Sequence, residues 1–445
     1  MNRDDRLGDG IKNMDRLNHF SLFNAGAAAK AAETFGTPVY VYDEALILER
    51  CRECVEMPEA YGLIVRYAMK ANSNRTILKL ITDAGLHLDA SSLNEVIRAN
   101  LAGVPFEQIM LTTQETYKGD ERAKLEELLL GGLKYNACSL HQLQLISDFA
   151  VANNIDIGIR IHPGIGSGES ATRNTGDDYS CFGIHLSDVA VAHELAAKKG
   201  MIFKHIHVHI GSGADTKMWR QNIDLLLNII EEHFPDADTV CFGGGLKEAR
   251  MPGEYAADVP LLGSYAKMQI EDFYKRTGRK LKMEIEPGTY IVANSGYAVT
   301  RLIDKKKTSR SNFIITDGGM EINSRPLLYG SKHPVYIIAG DGTRMISSEF
   351  DEAKHDYEAV VAGKCCESGD CQTLDMDGHA VPRAMVEPKI DDIVVIGGVG
   401  AYCASMSPYN YNSHPQIPEV MFTTKGKLEL IRKRQTLEQM LENEI

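Results

Sequence analysis

Apolar residues recur along this chain with two rhythms, and the change between them falls near residue 300. From about residue 37, short β-rich apolar runs alternate with stretches whose apolar positions lie three and four residues apart, the spacings of strand and amphipathic helix. Eight runs read as strands, at 62–68, 86–89, 109–112, 134–137, 157–161, 204–210, 239–242 and 282–285, with clear helical periodicity at 74–84 and 93–102. Strand and helix repeated eight times over about 250 residues is the size and rhythm of a (β/α)₈ TIM barrel, though a doubly wound open sheet fits the same alternation. Beyond residue 300 the runs at 312–317, 335–338, 358–362 and 393–396 are separated by turn residues with little helix, which predicts a second, mainly β-stranded domain. The expected organisation is an N-terminal segment over 1–36 packing on the β domain, a barrel over 37–300, a β domain over 301–424 and a charged C-terminal helix over 425–445.

The chemistry of the eight runs is concentrated where each one ends. In order they terminate at Lys70, Asp89 with Ser91, Thr113, Cys138, His162, His209, the triplet Gly243, Gly244 and Gly245, and Glu286. Strand C-termini are the catalytic face of a barrel, because the loops that carry function start there. One polar residue at a strand end is ordinary loop chemistry. A lysine, a histidine, a glycine triplet and a glutamate in series are harder to explain that way.

Composition narrows the picture. A chain of 445 residues with 44% hydrophobic and 24% charged residues suits a globular protein with more than one core. Its net charge of −13 argues against nucleic acid or an anionic membrane as partner. No window approaches the roughly 18 apolar residues of a membrane span, and the first twenty residues alternate charges where a signal peptide needs an apolar core. The nine cysteines include the cluster Cys365, Cys366 and Cys371, but none has a zinc-ligand spacing. No metal is expected, and free thiols point to the cytoplasm.

Four of the strand-end features fit one chemistry. A lysine directly after an apolar strand is partly desolvated, which favours the neutral amine that forms a Schiff base; Lys70 is so placed. The glycine triplet can bring backbone N–H groups to a phosphate. A carboxylate at Glu286 can keep a pyridine nitrogen protonated, and His209 can stack on a planar cofactor. Each alone has an ordinary reading: a surface lysine, a plain turn, a hydrogen-bonded core histidine.

Together the motifs Tyr67-Ala68-Met69-Lys70-Ala71-Asn72, Asp89-Ala90-Ser91-Ser92, His209-Ile210-Gly211-Ser212, Gly243-Gly244-Gly245 and Glu286-Pro287-Gly288 resemble those of the fold-type III decarboxylases that use pyridoxal 5′-phosphate (PLP). Within them the likeness is strongest to diaminopimelate decarboxylases, and it runs in order from about residue 35 to 415. Ser324-Arg325-Pro326-Leu327-Leu328-Tyr329, Cys366-Glu367-Ser368-Gly369-Asp370 and Gly400-Ala401-Tyr402 continue it in the second domain. The resemblance implies an alanine racemase-like barrel and a homodimer with shared active sites. Lys70 is then the Schiff-base lysine, His209 covers one cofactor face and Glu286 meets the pyridine nitrogen. Asp89, Ser212, the glycine triplet, Gly288 and Tyr402 complete the cofactor site. Arg325 and Tyr329 face the substrate's far end, and Tyr402, Thr289 and Glu367 also contact the substrate. Cys366, as proton donor, and Glu367 come from the partner subunit.

One position departs from the pattern. Diaminopimelate decarboxylases read Glu-Pro-Gly-Arg at the eighth strand, and this chain reads Glu286-Pro287-Gly288-Thr289. Thr289 removes a charged, bidentate donor that in the family helps bind an anionic group, including the distal carboxylate, and leaving a buried carboxylate unpaired costs about 2–5 kcal/mol. The sequence expectation is therefore decarboxylation of a D-configured basic amino acid lacking that carboxylate, D-lysine or D-ornithine, to cadaverine or putrescine. The alternative is meso-diaminopimelate to L-lysine, with Arg325 sufficient. An L-ornithine or L-arginine decarboxylase, a racemase on the same barrel and a non-catalytic homologue are further readings. Cys366, Glu367 and Ser368 disfavour the racemase, and retention of Lys70 and Cys366 disfavours the last. Residues 164–178, rich in Gly, Ser and Thr, read as an exposed insertion or a gating loop.

Overall fold

The computed structural model describes residues 11–12, 24–165, 175–176, 179–211, 216–350 and 355–445. Two compact units form: one chiefly of Glu49–Lys247 and Ala256–Tyr290, joined by Ile11–Lys12, which pair with Ala256–Ala257, the other chiefly of Ile291–Ile445 with Glu248–Tyr255 and residues 24–48. Of the segment 1–36, residues 11–12 therefore do not pack on the β domain.

The first unit is a closed parallel barrel of eight strands: β1 (Leu63–Ala68), β2 (His87–Ala90), β3 (Ile109–Thr112), β4 (Lys134–Ala137), β5 (Gly158–His162), β6 (His205–His207), β7 (Thr239–Cys241) and β8 (Lys282–Ile285). Each strand pairs with its sequence neighbours, and β8 with β1 closes the ring. This excludes the open sheet. Four of the helices between strands begin on side-chain caps, with Asn74, Ser92, Ser139 and Asp258 accepting from first-turn amides. Each buries one stripe, as helix Arg75–Asp83 does with Ile77, Leu78 and Ile81.

The barrel interior is polar. Such interiors are usually filled by branched aliphatic side chains. Here Arg66 on β1 makes a two-point ion pair with Glu284 on β8, Nε to Oε2 at 2.9 Å and Nη2 to Oε1 at 3.0 Å. His205 on β6 reaches the same Oε2 at 2.9 Å, across β7, which only side chains facing the barrel axis can do. Burial would raise the Glu284 carboxyl, but Arg66 and His205 outweigh it and hold it far below the ordinary range.

The second unit is built on the long strand Gly296–Lys307, which pairs with Val39–Asp43, Asn312–Thr316 and Ile393–Gly397. Val335–Ile338 extends the sheet from Ile393–Gly397, and Tyr357–Ala362 extends it from Asn312–Thr316. Ala28, Ala31 and Ala32 of helix Ala25–Phe35 pack on this sheet beside Val39, Val41, Val299 and Val395.

Several sequence expectations need correction. Val39–Asp43 belongs to the β unit, not the barrel, because it pairs with Gly296–Lys307 and Glu419–Phe422; the former itself starts before residue 300. The C-terminal helix is instead a strand, Leu428–Arg432, and a short helix, Leu437–Leu441. The turn around Gly426 (φ 71°) folds Leu428 and Leu430 back onto Phe422 and Val420. β6 ends at His207, short of residue 210. Among the described residues, no helix is long and apolar enough to cross a membrane.

The interior ion pair yields a stability test. Glu284→Gln leaves the Arg66 guanidinium buried without its counter-charge and is expected to cost about 3–5 kcal/mol, read as a lower urea midpoint. Arg66→Met combined with Glu284→Leu should recover most of the loss.

Candidate active site

β6, β7 and β8 converge on Glu286, the residue just past β8. His207 on β6 donates Nε2–H to Glu286 Oε2 at 2.8 Å, and Cys241 on β7 donates Sγ–H to Oε1 at 3.3 Å. Burial alone would raise the Glu286 carboxyl, but contact with His207 outweighs it and holds the group down at about 2. Burial pushes His207 below its ordinary range and, with Glu286, pushes the Cys241 thiol well up. The arrangement is thus an ionised carboxylate gripped by two neutral donors.

Asp89 on β2 is buried, and burial followed by the Glu286 charge raises its carboxyl well above the usual range; Lys70 opposes this. Its Oδ1 has no partner among the described residues. His209 accepts the Gly244 amide on Nδ1 at 3.2 Å, which fixes the tautomer. Burial, then Arg160 and Lys70, lower it well below the ordinary value, so the ring is neutral. Arg160, opposite His207 in the β5–β6 register, is 8% exposed; its Nε and Nη2 have no partner among the described residues.

The glycines work by close approach. A Cβ on Gly243 (φ 70°) would lie 2.4 Å from the Val208 carbonyl oxygen, and one on Gly244 would lie 2.4 Å from that of Glu286. The Gly244 amide is already given to His209, so Gly245, half-buried at φ 90°, is the member of the triplet best disposed toward an anion. Gly288 brings the turn after β8 against Ala68 and Ala71, on either side of Lys70.

Lys70 lies in the 3₁₀ turn Met69–Ala71 beyond β1 and is exposed, since this turn buries Met69 and Ala71 instead. The expectation of desolvation by the strand is therefore corrected. Thr289 is half-buried and opens the short helix Thr289–Val292. Next to it the Tyr290 hydroxyl donates to Glu53 Oε2 at 2.6 Å, and Arg50 binds the same oxygen at 2.7 Å.

In the second unit, Arg325 is buried, lies 5.9 Å from the ring centroids of both Tyr329 and Tyr402, and donates to Ser331 Oγ at 3.3 Å. Tyr402 sits at φ 58°, and a Cβ on Gly400 would lie 1.7 Å from the Val292 carbonyl oxygen. Cys366 and Glu367 are exposed on the loop after Tyr357–Ala362. Ser212 lies outside the described residues, as do 166–174 and 177–178 of the glycine-rich segment.

Comparison with known proteins agrees with this geometry. Residues 45–293 match the pyridoxal-dependent decarboxylase, pyridoxal binding domain, family. The chain belongs to that family. It is 34% identical to the diaminopimelate decarboxylase of Escherichia coli K12, over 92% of this chain and 94% of that one. A crystal structure of a diaminopimelate decarboxylase superposes with a TM-score of 0.86 at 33% identity, covering 96% of this chain and 98% of the other. The Helicobacter pylori enzyme, solved with L-lysine, gives 0.75 at 28% identity over 93% and 98%.

The protein is accordingly a PLP-dependent carboxy-lyase, and its own residues fit that cofactor: an accessible amine at Lys70, an ionised buried carboxylate at Glu286, and a neutral imidazole of fixed tautomer at His209. Sequence reasoning missed His207, Cys241 and Arg160. The available signal was alternation, since His207 stands two residues before His209, and residues two apart on a strand share a face.

The Glu286 environment predicts a pH dependence. Its carboxyl is depressed from an ordinary 4.5 to about 2, so its contribution to stability is present above 4.5 and is lost as pH falls toward 2. Glu286→Gln should flatten the fall in denaturation midpoint across that window. Gly244→Ala should weaken PLP binding at least tenfold, read from the absorbance of bound cofactor, with far-ultraviolet circular dichroism unchanged.

Proposed function

We propose that the protein decarboxylates meso-diaminopimelate at its D-configured centre to give L-lysine. The observation that carries this reading is the likeness to diaminopimelate decarboxylases over 92% of the chain. It is supported by a buried arginine, Arg325, flanked by Tyr329 and Tyr402, which suits a distal carboxylate.

When bound, PLP supplies the electron sink for loss of CO₂. Lys70, exposed beyond β1, would hold the cofactor through its Nζ. Glu286 would keep a pyridine nitrogen protonated, because His207 and Cys241 hold its own carboxylate ionised. His209, fixed by the Gly244 amide, would stack on the cofactor ring and exclude water. Asp89 lies within reach of the Glu286 charge, and Gly245 and Gly288 would line the cofactor site. After CO₂ leaves, the Cys366 thiol returns a proton to the reacting carbon, and Glu367 receives a substrate amine. In this reading Cys366 and Glu367 act in the site of a second copy, within a homodimer. The nine cysteines are all free thiols, as a reducing cytoplasm requires.

Thr289 favours a second reading, D-lysine or D-ornithine decarboxylation. It contributes no positive charge where the related enzymes carry arginine, and the adjacent Arg50 is paired with Glu53.

Two measurements test these readings. Borohydride reduction of the holoenzyme and peptide mapping should find the pyridoxyl group on Lys70. A CO₂-release panel of meso-diaminopimelate and both enantiomers of lysine, ornithine and arginine should give the highest kcat/KM for meso-diaminopimelate. A tenfold preference for D-lysine or D-ornithine would move the assignment to the second reading.

A further inference from the structure

Backbone strain in the second unit is concentrated beside Cys366 and Glu367. Three of the four residues at 410–413 are left-handed without being glycine: Asn410 (φ 62°), Asn412 (φ 49°) and Ser413 (φ 57°). Asparagine tolerates this region and serine does so poorly, so the conformation persists only where its surroundings over-determine it. They do so here. Asn410 Nδ2 donates to the His414 carbonyl oxygen at 3.1 Å and to Gln435 Oε1 at 2.6 Å, and the Ser413 amide donates to the Asn410 carbonyl oxygen at 2.9 Å.

The strained segment spends its remaining polar groups on the Cys366 loop. The Cys366 amide donates to Asn412 Oδ1 at 2.8 Å, and the Tyr411 hydroxyl donates to Glu367 Oε2 at 3.1 Å. Ser368 Oγ occupies the other carboxylate oxygen at 3.1 Å. The residue just before Cys366 is tied separately, by the Cys365 amide to Asp370 Oδ2 at 2.6 Å and Cys365 Sγ to Glu321 Oε2 at 3.3 Å.

We propose that residues 410–413 are a positioning clamp for the proposed proton donor and its neighbour, Asn412 fixing the backbone of Cys366 and Tyr411 aiming the Glu367 carboxylate. Neither clamp residue touches the reacting atoms; each acts through the residue it holds. The left-handed turn is what points both side chains at one loop, because a right-handed backbone at 412 would carry Oδ1 away from the Cys366 amide. The proposal rests on the reading of Cys366 as proton donor and Glu367 as a substrate-binding group.

The test uses holoenzyme variants. Asn412→Gly keeps the left-handed backbone without strain and removes only the acceptor, so folding is preserved; Asn412→Asp retains the acceptor. Asn412→Gly should lower kcat about tenfold and speed iodoacetamide alkylation of Cys366 at least threefold, followed by peptide mass spectrometry. Asn412→Asp should stay within twofold of the parent in both. Tyr411→Phe should raise KM about fivefold, one ordinary hydrogen bond's worth, with kcat within twofold. Parent-like alkylation and kcat in Asn412→Gly, or an unchanged KM in Tyr411→Phe, would overturn the clamp. Cys366→Ala with full kcat would instead remove the proton-donor reading, while the alkylation arm, made on the intact thiol, still reports on Asn412.

Discussion

An ionised carboxylate inside a protein is held against a large desolvation penalty, and Glu286 meets that penalty with two donors from two different strands. His207 and Cys241 are neutral, so they stabilise the charge without cancelling it. A net negative group is left at the mouth of the barrel, and in the proposed function it serves a protonated ring nitrogen. The remaining titratable groups follow from that one charge. Asp89 is pushed toward its neutral form partly because Glu286 is ionised, and His209 stays neutral in a site already occupied by Arg160 and Lys70.

The same logic extends one layer down. Arg66 and Glu284 form a buried ion pair, joined by a hydrogen bond from His205, on strands that also bear upper-layer groups: Glu284 lies two residues before Glu286, and His205 two before His207. With the side-chain period of a strand fixed at two, a polar residue that serves the cofactor places its neighbours on the same interior face. Filling that face with a matched ion pair fixes the strand register from inside. A one-residue slip would drive Glu284 and Glu286 outward into the apolar layer beneath the helices.

Much of the fold was legible because its signals are local. The eight barrel strands and their order follow from period-2 and period-3.6 patterns, and several observed bounds coincide with the expected runs. The failures have identifiable causes. Val39–Asp43 looks like any apolar strand, and its assignment to the β unit depends on pairing with residues more than 250 positions away. The charged C-terminal pattern reads as helix until Gly426 turns it back on Glu419–Phe422. Lys70 was read correctly as a strand-end lysine, but one extra half-turn exposes it.

The amino-acid sequence by itself determined the barrel, the β domain and the likeness to PLP decarboxylases, and it picked out the lysine, histidine, glycines and glutamate proposed to hold the cofactor, because motifs and periodicities are properties of neighbouring residues. It could not determine which side chains share a charge or a hydrogen bond. His207 and Cys241 meet Glu286 only when three strands close side by side, and Asn412 reaches the Cys366 amide only through a left-handed turn some forty-six residues further along. Electrostatics and hydrogen bonding depend on distance in space. Only the tertiary structure decided those distances, and with them which groups are charged.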